Sequence, residues 1–265
     1  MVEVEIEIPN SHPRATSLKI REKLMKAYEK GLVATAGLIA HGRGEAFDYL
    51  LGERTLPFAW RAERVAVALL LKAERKVISV NGNAAALCAE ELVELGRLTG
   101  AQLEVNLFYR SEEREVTIAR ELKRSGASEV LGVGAATSAR IPELVSARAK
   151  VDPRGIAGAE VVLVPLEDGD RTAFLKRIGK IVLAIDLNPF SRTAQTASVT
   201  IVDNIVRAVP NMVKEARLLR QSPEKLDRII LNYDNRETLR EAIGFINARL
   251  LQIARENLQT FPKRV

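Results

Sequence analysis

The chain is poor in the residue types that would tie it to metals, membranes or an oxidising compartment. One cysteine, Cys88, in 265 residues leaves no partner for an intrachain disulfide. Two histidines, His12 and His41, are too few for a zinc site built on several Cys and His ligands. No apolar run nears the roughly 20 residues that a membrane helix needs, and Met1-Val2-Glu3-Val4-Glu5 is acidic where a secretory leader would be basic. A soluble protein of the reducing cytoplasm is expected, with no membrane partner. Aromatic residues make up only 5%, and the cations are interleaved with acids, as in Arg110-Ser111-Glu112-Glu113-Arg114-Glu115. Nucleic-acid grooves need clustered cations and stacking rings, so no nucleic-acid partner is expected.

What is present is an ordinary globular composition. The chain is 47% hydrophobic and 28% charged, and a length of 265 residues suffices for one or two packed domains. Lys and Arg number 40 against 34 Asp and Glu, a modest surplus that suits a small anion such as a nucleotide or sugar phosphate.

The pattern along the chain predicts helix over 17–30, with Ser17 as a possible N-cap, Gly31 as its stop and Leu18, Leu24, Met25 and Tyr28 as its inward stripe. Arg21 falls on that stripe, where a core residue belongs. Residues 37–45 read as a glycine-rich turn leading into a short helix, and 57–73 as a further helix. The rhythm then changes to short β-branched runs at 77–80, 103–107, 130–133, 160–164, 180–185 and 198–202, alternating with helices. Such runs mark strands covered on both faces. The fold class expected is α/β, a mostly parallel Rossmann-like sheet covered by helices on both faces, with a helical N-terminal segment and C-terminal helices. The segments are 1–75, the helical part packed on the core; 76–222, the α/β core; and 223–265, the C-terminal helices, all within one compact domain. Residues 137–158 form a long connection of the kind that often serves as a lid or binding loop. Leu239, Ile243, Ile246, Leu250 and Ile253 step by four and three, a seam for the body or for a second copy.

In open α/β sheets, ligands sit beyond the carboxyl ends of the strands. Four such places carry polar or small residues. Asn81-Gly82-Asn83-Ala84 follows the first strand and could offer helix N–H groups to an anion; helix capping by Asn81 or Asn83 is the plain alternative. Pro165-Leu166-Glu167-Asp168-Gly169-Asp170 holds three carboxylates that could take Mg²⁺, or simply a turn with Asp170 as a cap. Asp186-Leu187-Asn188-Pro189-Phe190-Ser191-Arg192-Thr193 places an acid where a ribose could be held and an arginine fork for phosphate. Asp203-Asn204-Ile205-Val206-Arg207 opens the next helix with polar groups. Familiar nucleotide motifs are missing: Arg43-Gly44 replaces the Lys-Ser/Thr of a P-loop, and Thr137 replaces the third glycine after Gly132-Val133-Gly134. No Gly-x-Ser-x-Gly elbow occurs. Spacing alone supports an α/β protein that binds a phosphate-bearing ligand.

Taken together, Ser11-His12-Pro13-Arg14, the run from Gly37 through His41, Gly42 and Arg43 to Leu50, Ser79-Val80-Asn81-Gly82-Asn83, Pro165 through Arg171-Thr172, and Asp186-Leu187-Asn188-Pro189 with Val202 through Arg207 resemble the archaeal phosphopantothenate synthetases. The likeness runs in order along nearly the whole chain. It is weaker at 2–8, at 134–138 and after Asn257. It implies a homodimeric ligase of coenzyme A biosynthesis that joins 4-phosphopantoate to β-alanine, with ATP giving AMP and pyrophosphate. It also implies ATP contacts at Arg21, Arg43, Asp186, Leu187, Asn188, Arg192, Thr193, Asn204, Ile205, Val206 and Arg207.

On that resemblance Arg21, Arg43 and Arg192 are assigned to phosphates, with Mg²⁺ sharing the charge. Asp186 is assigned to the ribose, and Asn81, Gly82, Asn83 and Ala84 to the phosphopantoate. His41 either takes the proton of the amine, contacts a phosphate, or is only a structural hydrogen-bonder. Arg21 is expected to meet a ligand rather than a protein carboxylate, because the nearest acid in sequence, Glu22, lies on another face. The competing readings are a nucleotide-dependent oxidoreductase, which nicotinamide binding would reveal, and a non-catalytic nucleotide-sensing module, which turnover would exclude.

Overall fold

The computed structural model describes residues 8–12, 14–141, 144 and 146–260. Three helices come first, α1 (Ala15–Glu29), α2 (Thr35–Leu51) and α3 (Pro57–Lys72). Strands and helices then alternate as β1 (Lys76–Val80), α4 (Gly82–Thr99), β2 (Gln102–Val105) and α5 (Glu112–Arg124). A long connection carries the two-residue strands β3 (Ala139–Arg140) and β4 (Lys150–Val151), which pair antiparallel. The alternation resumes with β5 (Val161–Pro165), α6 (Gly169–Arg177), β6 (Ile181–Ile185), α7 (Arg192–Thr196), β7 (Val199–Ile201) and α8 (Ile205–Leu219). Helices α9 (Leu226–Leu231) and α10 (Asn235–Thr260) complete the described chain.

The main sheet has five parallel strands in the order β2-β1-β5-β6-β7. Its strands are short apolar runs because both faces are covered. Ile78, Val80, Leu163 and Ile185 point to one face, into a core shared with α1, α3, α4 and α8. The alternate residues Val77, Val162, Val164, Val182 and Ala184 point to the other, where Leu175 of α6 and Ile141, Val151 and Ile156 of the connection cover them. From β1 the chain steps outward to β2 in one direction, and from β5 outward through β6 to β7 in the other. The order therefore reverses between β1 and β5, which opens a crevice beyond their carboxyl ends.

Several local expectations are corrected. Residues 37–45 are not a turn: Gly37, Gly42 and Gly44 lie inside α2, although each glycine costs a helix about 1 kcal/mol relative to alanine. Close approach explains two of them, since a Cβ on Gly37 would stand 2.3 Å from Asn83 Oδ1 and one on Gly44 3.6 Å from Leu187 Cδ1. In α1 the N-cap position belongs to Arg14, and Ser17 sits in the first turn with its hydroxyl donating to Arg14 O at 3.2 Å. The inward side of α1 is Ser17, Leu24 and Ala27, whereas Met25 and Tyr28 are exposed. Gly31 does end the helix region with φ +75°.

Residues 130–133 give only a bridge between Glu104 and Leu131 rather than a strand. Gly132, at φ +81°, turns the chain away there, and a Cβ on it would lie 2.3 Å from Val105 O. The 137–158 connection is packed, with Ile141, Leu144, Ala149, Val151 and Ile156 all buried. The α10 seam divides: Leu239 and Ile246 join a core with Leu51, Phe58 and Leu187, Ile243 is half-buried, and Leu250 and Ile253 are 47% and 37% exposed. Residues 1–7, Pro13, Pro142 and 261–265, which enter several of the sequence readings, lie outside the described residues.

Candidate active site

The strand ends along the carboxyl edge are, in spatial order, Val105, Val80, Pro165, Ile185 and Ile201. Asn81 bridges the point where the order reverses. Its Oδ1 accepts from Ala84 N at 3.0 Å, capping α4, and its Nδ2 donates across to Pro165 O at 2.8 Å and Leu166 O at 3.1 Å. The plain reading of Asn81 as a cap is therefore correct, and the cap also ties β1 to β5. Leu166 is held in the left-handed region, φ +55°, a conformation that costs a residue with a side chain about 1–3 kcal/mol.

Helix α2 lies across this edge. Asn83 Nδ2 donates to Gly37 O at 2.9 Å beyond β1, Phe47 and Phe190 rings stand 6.3 Å apart beyond β6, and Asp48 accepts from Asn204 Nδ2 at 2.8 Å beyond β7. Eleven residues of helix rise about 16 Å, close to the three strand spacings of about 4.8 Å that separate β1 from β7. The helix is thus long enough to roof the edge with one underside, Gly37, Gly44 and Asp48, at small or polar positions.

At the β6 end, Asp186 accepts from Asn188 N at 2.9 Å and from the Ser191 hydroxyl, and Asn188 Oδ1 accepts from Phe190 N at 2.9 Å. These bonds fold 186–191 into a tight loop whose Ser191 caps α7. Burial pushes the Asp186 carboxyl up, and the loop's donors and the charge of Arg43 oppose it. Arg43 of α2 is thus near enough to favour the charged form of Asp186. Leu187 is buried beneath α2, Thr193 Oγ1 donates to Glu167 O at 3.0 Å, and Arg192 pairs at the surface with Asp170 at 2.8 Å.

At the β7 end, Asn204 caps α8 by accepting from Val206 N at 3.3 Å, and Ile205 is buried in the core. Arg207 reaches both Asp203, Nε to Oδ1 at 2.9 Å, and Asp48, Nη1 to Oδ2 at 3.1 Å. Burial lowers the Arg207 value, but its two carboxylates outweigh that and leave it raised.

Arg21, Arg43 and His41 do not form one cluster of free cations. Arg21 Nε donates to Glu45 Oε2 at 2.6 Å, and Nη2 meets Glu45 Oε1. The expectation that Arg21 lacks a protein carboxylate is corrected: the partner is not Glu22 but Glu45, one helix away. Tyr49 also donates to Glu45, and His41 Nε2 lies 3.6 Å from Glu45 Oε2. Burial, the largest cause, lowers the His41 value, so the imidazole is neutral at pH 7.

The carboxylate triplet is dispersed as well. Asp168, not Asp170, caps α6 by accepting from Arg171 N at 2.8 Å. Glu167 is buried between Arg148 of the connection and Arg171 of α6, and Arg171 also reaches Ser79 Oγ at 3.2 Å. Beside them Glu104 accepts from Asp152 N at 2.9 Å and Ile156 N at 2.5 Å, fastening the connection to β2. Sequence reading missed Glu45, Asp48, Glu63, Glu104 and Arg148. The signal existed for Glu63, an acid on an otherwise apolar helix face, by the same logic that singled out Arg21. Among the described residues no three His, Cys, Asp or Glu side chains converge as a metal site. A cavity of about 400 Å³ lies beside the β2 end, lined by Arg110, Glu115, Gly134, Thr137 and Lys150. A second, of about 530 Å³, lies among α3, α9 and α10, away from the strand ends. No helix of the described residues is long and apolar enough to cross a membrane.

The profile of the family described as phosphopantothenate/pantothenate synthetase matches residues 58–249. A 4-phosphopantoate--beta-alanine ligase of Thermococcus kodakarensis is 55% identical over 255 residues, 96% of this chain and 97% of that protein. Proteins of the same name from Methanosarcina mazei and Methanospirillum hungatei are 51% and 46% identical, covering 94% and 93% of this chain and 98% and 99% of their own.

Proposed function

The chain belongs to the phosphopantothenate/pantothenate synthetase family, and from that we infer that it is an ATP-dependent amide-forming ligase joining 4-phosphopantoate to β-alanine in coenzyme A biosynthesis. The observation that carries the reading is helix α2 roofing the strand ends, with Gly37 O bound by Asn83 and Asp48 by Asn204 and Arg207.

A carboxylate cannot be opened by an amine, because oxide is too poor a leaving group. In the proposed path a carboxylate oxygen of 4-phosphopantoate attacks the α-phosphorus of ATP and the bond to the β,γ-pyrophosphate breaks. The amine of β-alanine then attacks the carbonyl of the acyl-adenylate, the bond to AMP breaks, and the ammonium proton is given up. Two polyanions must meet, so positioning and charge neutralisation do most of the work.

The chain's own residues supply this at named places. The ribose is assigned to Asp186, the phosphates to Arg43 and Arg192, and the nucleotide's contacts to Leu187, Asn188, Thr193, Asn204, Ile205, Val206 and Arg207. The phosphopantoate is assigned to Asn83 and the α4 N-terminus, Gly82 and Ala84, with Asn81 holding that turn. Arg21 enters the site through Glu45, which it shares with Tyr49 and stands close to His41. A neutral His41 is able to accept the amine proton at pH 7.

The crevice carboxylates do not fit a resident magnesium ion: Asp186 is engaged by Ser191 and Asn188, Glu167 by two arginines, and Asp48 and Asp203 by Arg207. Mg²⁺ is assigned to the ATP phosphates, as part of that substrate. A cytoplasmic homodimer acting without nucleic acid completes the proposal, supported by the exposed apolar end of α10 and by the interleaving of cations with acids along the chain.

The test is product analysis with 4-phosphopantoate, β-alanine and ATP. AMP and pyrophosphate are expected, with oxygen from labelled carboxylate found in AMP. ADP and phosphate as the nucleotide products would overturn the adenylate.

A further inference from the structure

Behind the β7 end of the crevice lies a line of polar groups that no substrate contact explains. Glu63, on α3, is fully buried, and its Oε2 has no hydrogen-bond partner among the described residues. Its Oε1 stands 3.5 Å from Asn211 Nδ2 of α8. Asn211 Nδ2 also donates to Thr55 Oγ1 at 3.2 Å, and Thr55 Oγ1 donates to Asp203 Oδ2 at 2.6 Å. Asp203 uses its other oxygen for Arg207 Nε at 2.9 Å and Asn204 N at 2.7 Å.

We propose that Glu63 is a positioning residue for ATP binding, holding Arg207 and Asn204 at the strand edge through Asn211, Thr55 and Asp203. With Thr55 fixed by Asn211, Asp203 cannot rotate, and the oxygen left to it faces Arg207. The arrangement requires Glu63 to be a neutral acid. An ionised carboxylate there would leave an oxygen buried without a donor and would stand near a second carboxylate, Asp203.

Burial, with Asp203 and Glu215 adding repulsion, pushes the Glu63 carboxyl up to about 9, against the opposing help of Asn211 and Arg207. Those are the groups that face it from β7 and α8. Glu215 is itself drawn to Arg64 at 3.1 Å, and the acids of α9 and α10, Asp227 and Glu241, pair with Lys72 and Arg61 on other turns of α3. At neutral pH the chain is intact. Above pH 9 Glu63 ionises, repels Asp203 and loosens Arg207.

This rests on the placement of the nucleotide at Asn204 and Arg207, so the experiment separates the two. ATP with magnesium chloride, without the other substrates, is titrated calorimetrically into the full chain at pH 7 to about 10. Wild-type Kd is expected to rise about tenfold from pH 8 to pH 10. Glu63→Gln, which mimics the neutral acid, should bind like wild type at pH 7 and lose that rise. Glu63→Leu should bind about tenfold more weakly at every pH. Thr55→Val, which cuts the same line at a half-buried residue, should weaken binding likewise and decides the matter should Glu63→Leu not fold. Wild-type affinity in Thr55→Val, or an unchanged pH rise in Glu63→Gln, overturns the role of Glu63 provided that Arg207→Ala weakens ATP. If Arg207→Ala binds ATP as wild type does, the nucleotide placement is what fails, and the inference falls with it.

Discussion

Arg21 Nε and Glu45 Oε2 stand 2.6 Å apart, joining α1 to the underside of α2. Glu45 is buried while Arg21 is half exposed. Arg21 is the main reason the Glu45 carboxyl lies below the usual carboxylate range. Arg21→Leu would strand that carboxylate. We expect it to lose about 1–2 kcal/mol, discounted for the exposure of the guanidinium, or about 2–6 °C in Tm. A depressed folded value gives stability that is present above the unfolded value of 4.5 and is lost as pH falls through the folded one. The gap between wild type and variant should therefore narrow as pH falls below 4.5. An unchanged Tm at pH 7 would show that Arg21 serves only a ligand.

That pair shows what the sequence could and could not reveal. The anomaly of an arginine on a helix stripe expected to be apolar is visible, and so are the strand ends, because short continuous β-branched runs and the turn residues after them are local signals. The partner, 24 residues away on α2, is not. Glycines usually signal turns, so the first half of the roofing helix reads as a turn and only its second half as helix. Gly37 and Gly44 are there for close approach, a reason that exists only once Asn83 and Leu187 are in place. Residues 130–133 read as a strand because Val130 and Val133 satisfy the pattern that Gly132 interrupts, and only the bridge at Leu131 forms.

Gly37→Ala tests the roof. A Cβ would meet Asn83 Oδ1 at 2.3 Å, the far end of a side chain that can turn aside. The gain in helix propensity, about 1 kcal/mol, offsets the displacement, so Tm should change by only a few degrees. The displaced Asn83 is the group assigned to phosphopantoate, and steady-state kinetics should show its KM raised about tenfold with KM for ATP nearly unchanged. Equal changes in both, or in neither, would remove Asn83 from the substrate site.

The end of α10 tests assembly. Leu250 and Leu251 are 47% and 51% exposed although the same helix buries Leu239 and Ile246 against the body. We expect light scattering to give twice the chain mass at micromolar concentration. Leu250→Lys combined with Ile253→Lys should shift the particle to one chain without lowering the helix content seen by circular dichroism. A wild-type monomer would mean that the exposed end has no partner copy.

Glu104 tests the fastening of the 137–158 connection. The side chain is fully buried, and each oxygen accepts from a backbone N–H, of Asp152 and of Ile156. Glu104→Gln puts an amide N–H against one of those donors, at a cost of about 1–3 kcal/mol. Trypsin should then cut faster at Lys150 or Arg154. The pH dependence runs the other way from that of Glu45. Burial raises the Glu104 carboxyl to about 7, so its share of stability is complete below the unfolded value of 4.5 and is lost as pH rises through 7. Glutamine does not titrate. The melting gap between wild type and Glu104→Gln should therefore be widest below pH 4.5 and shrink by on the order of 3 kcal/mol by pH 8. A gap that stays constant with pH would show that Glu104 is ionised throughout, held charged by the two N–H groups and the nearby Arg171.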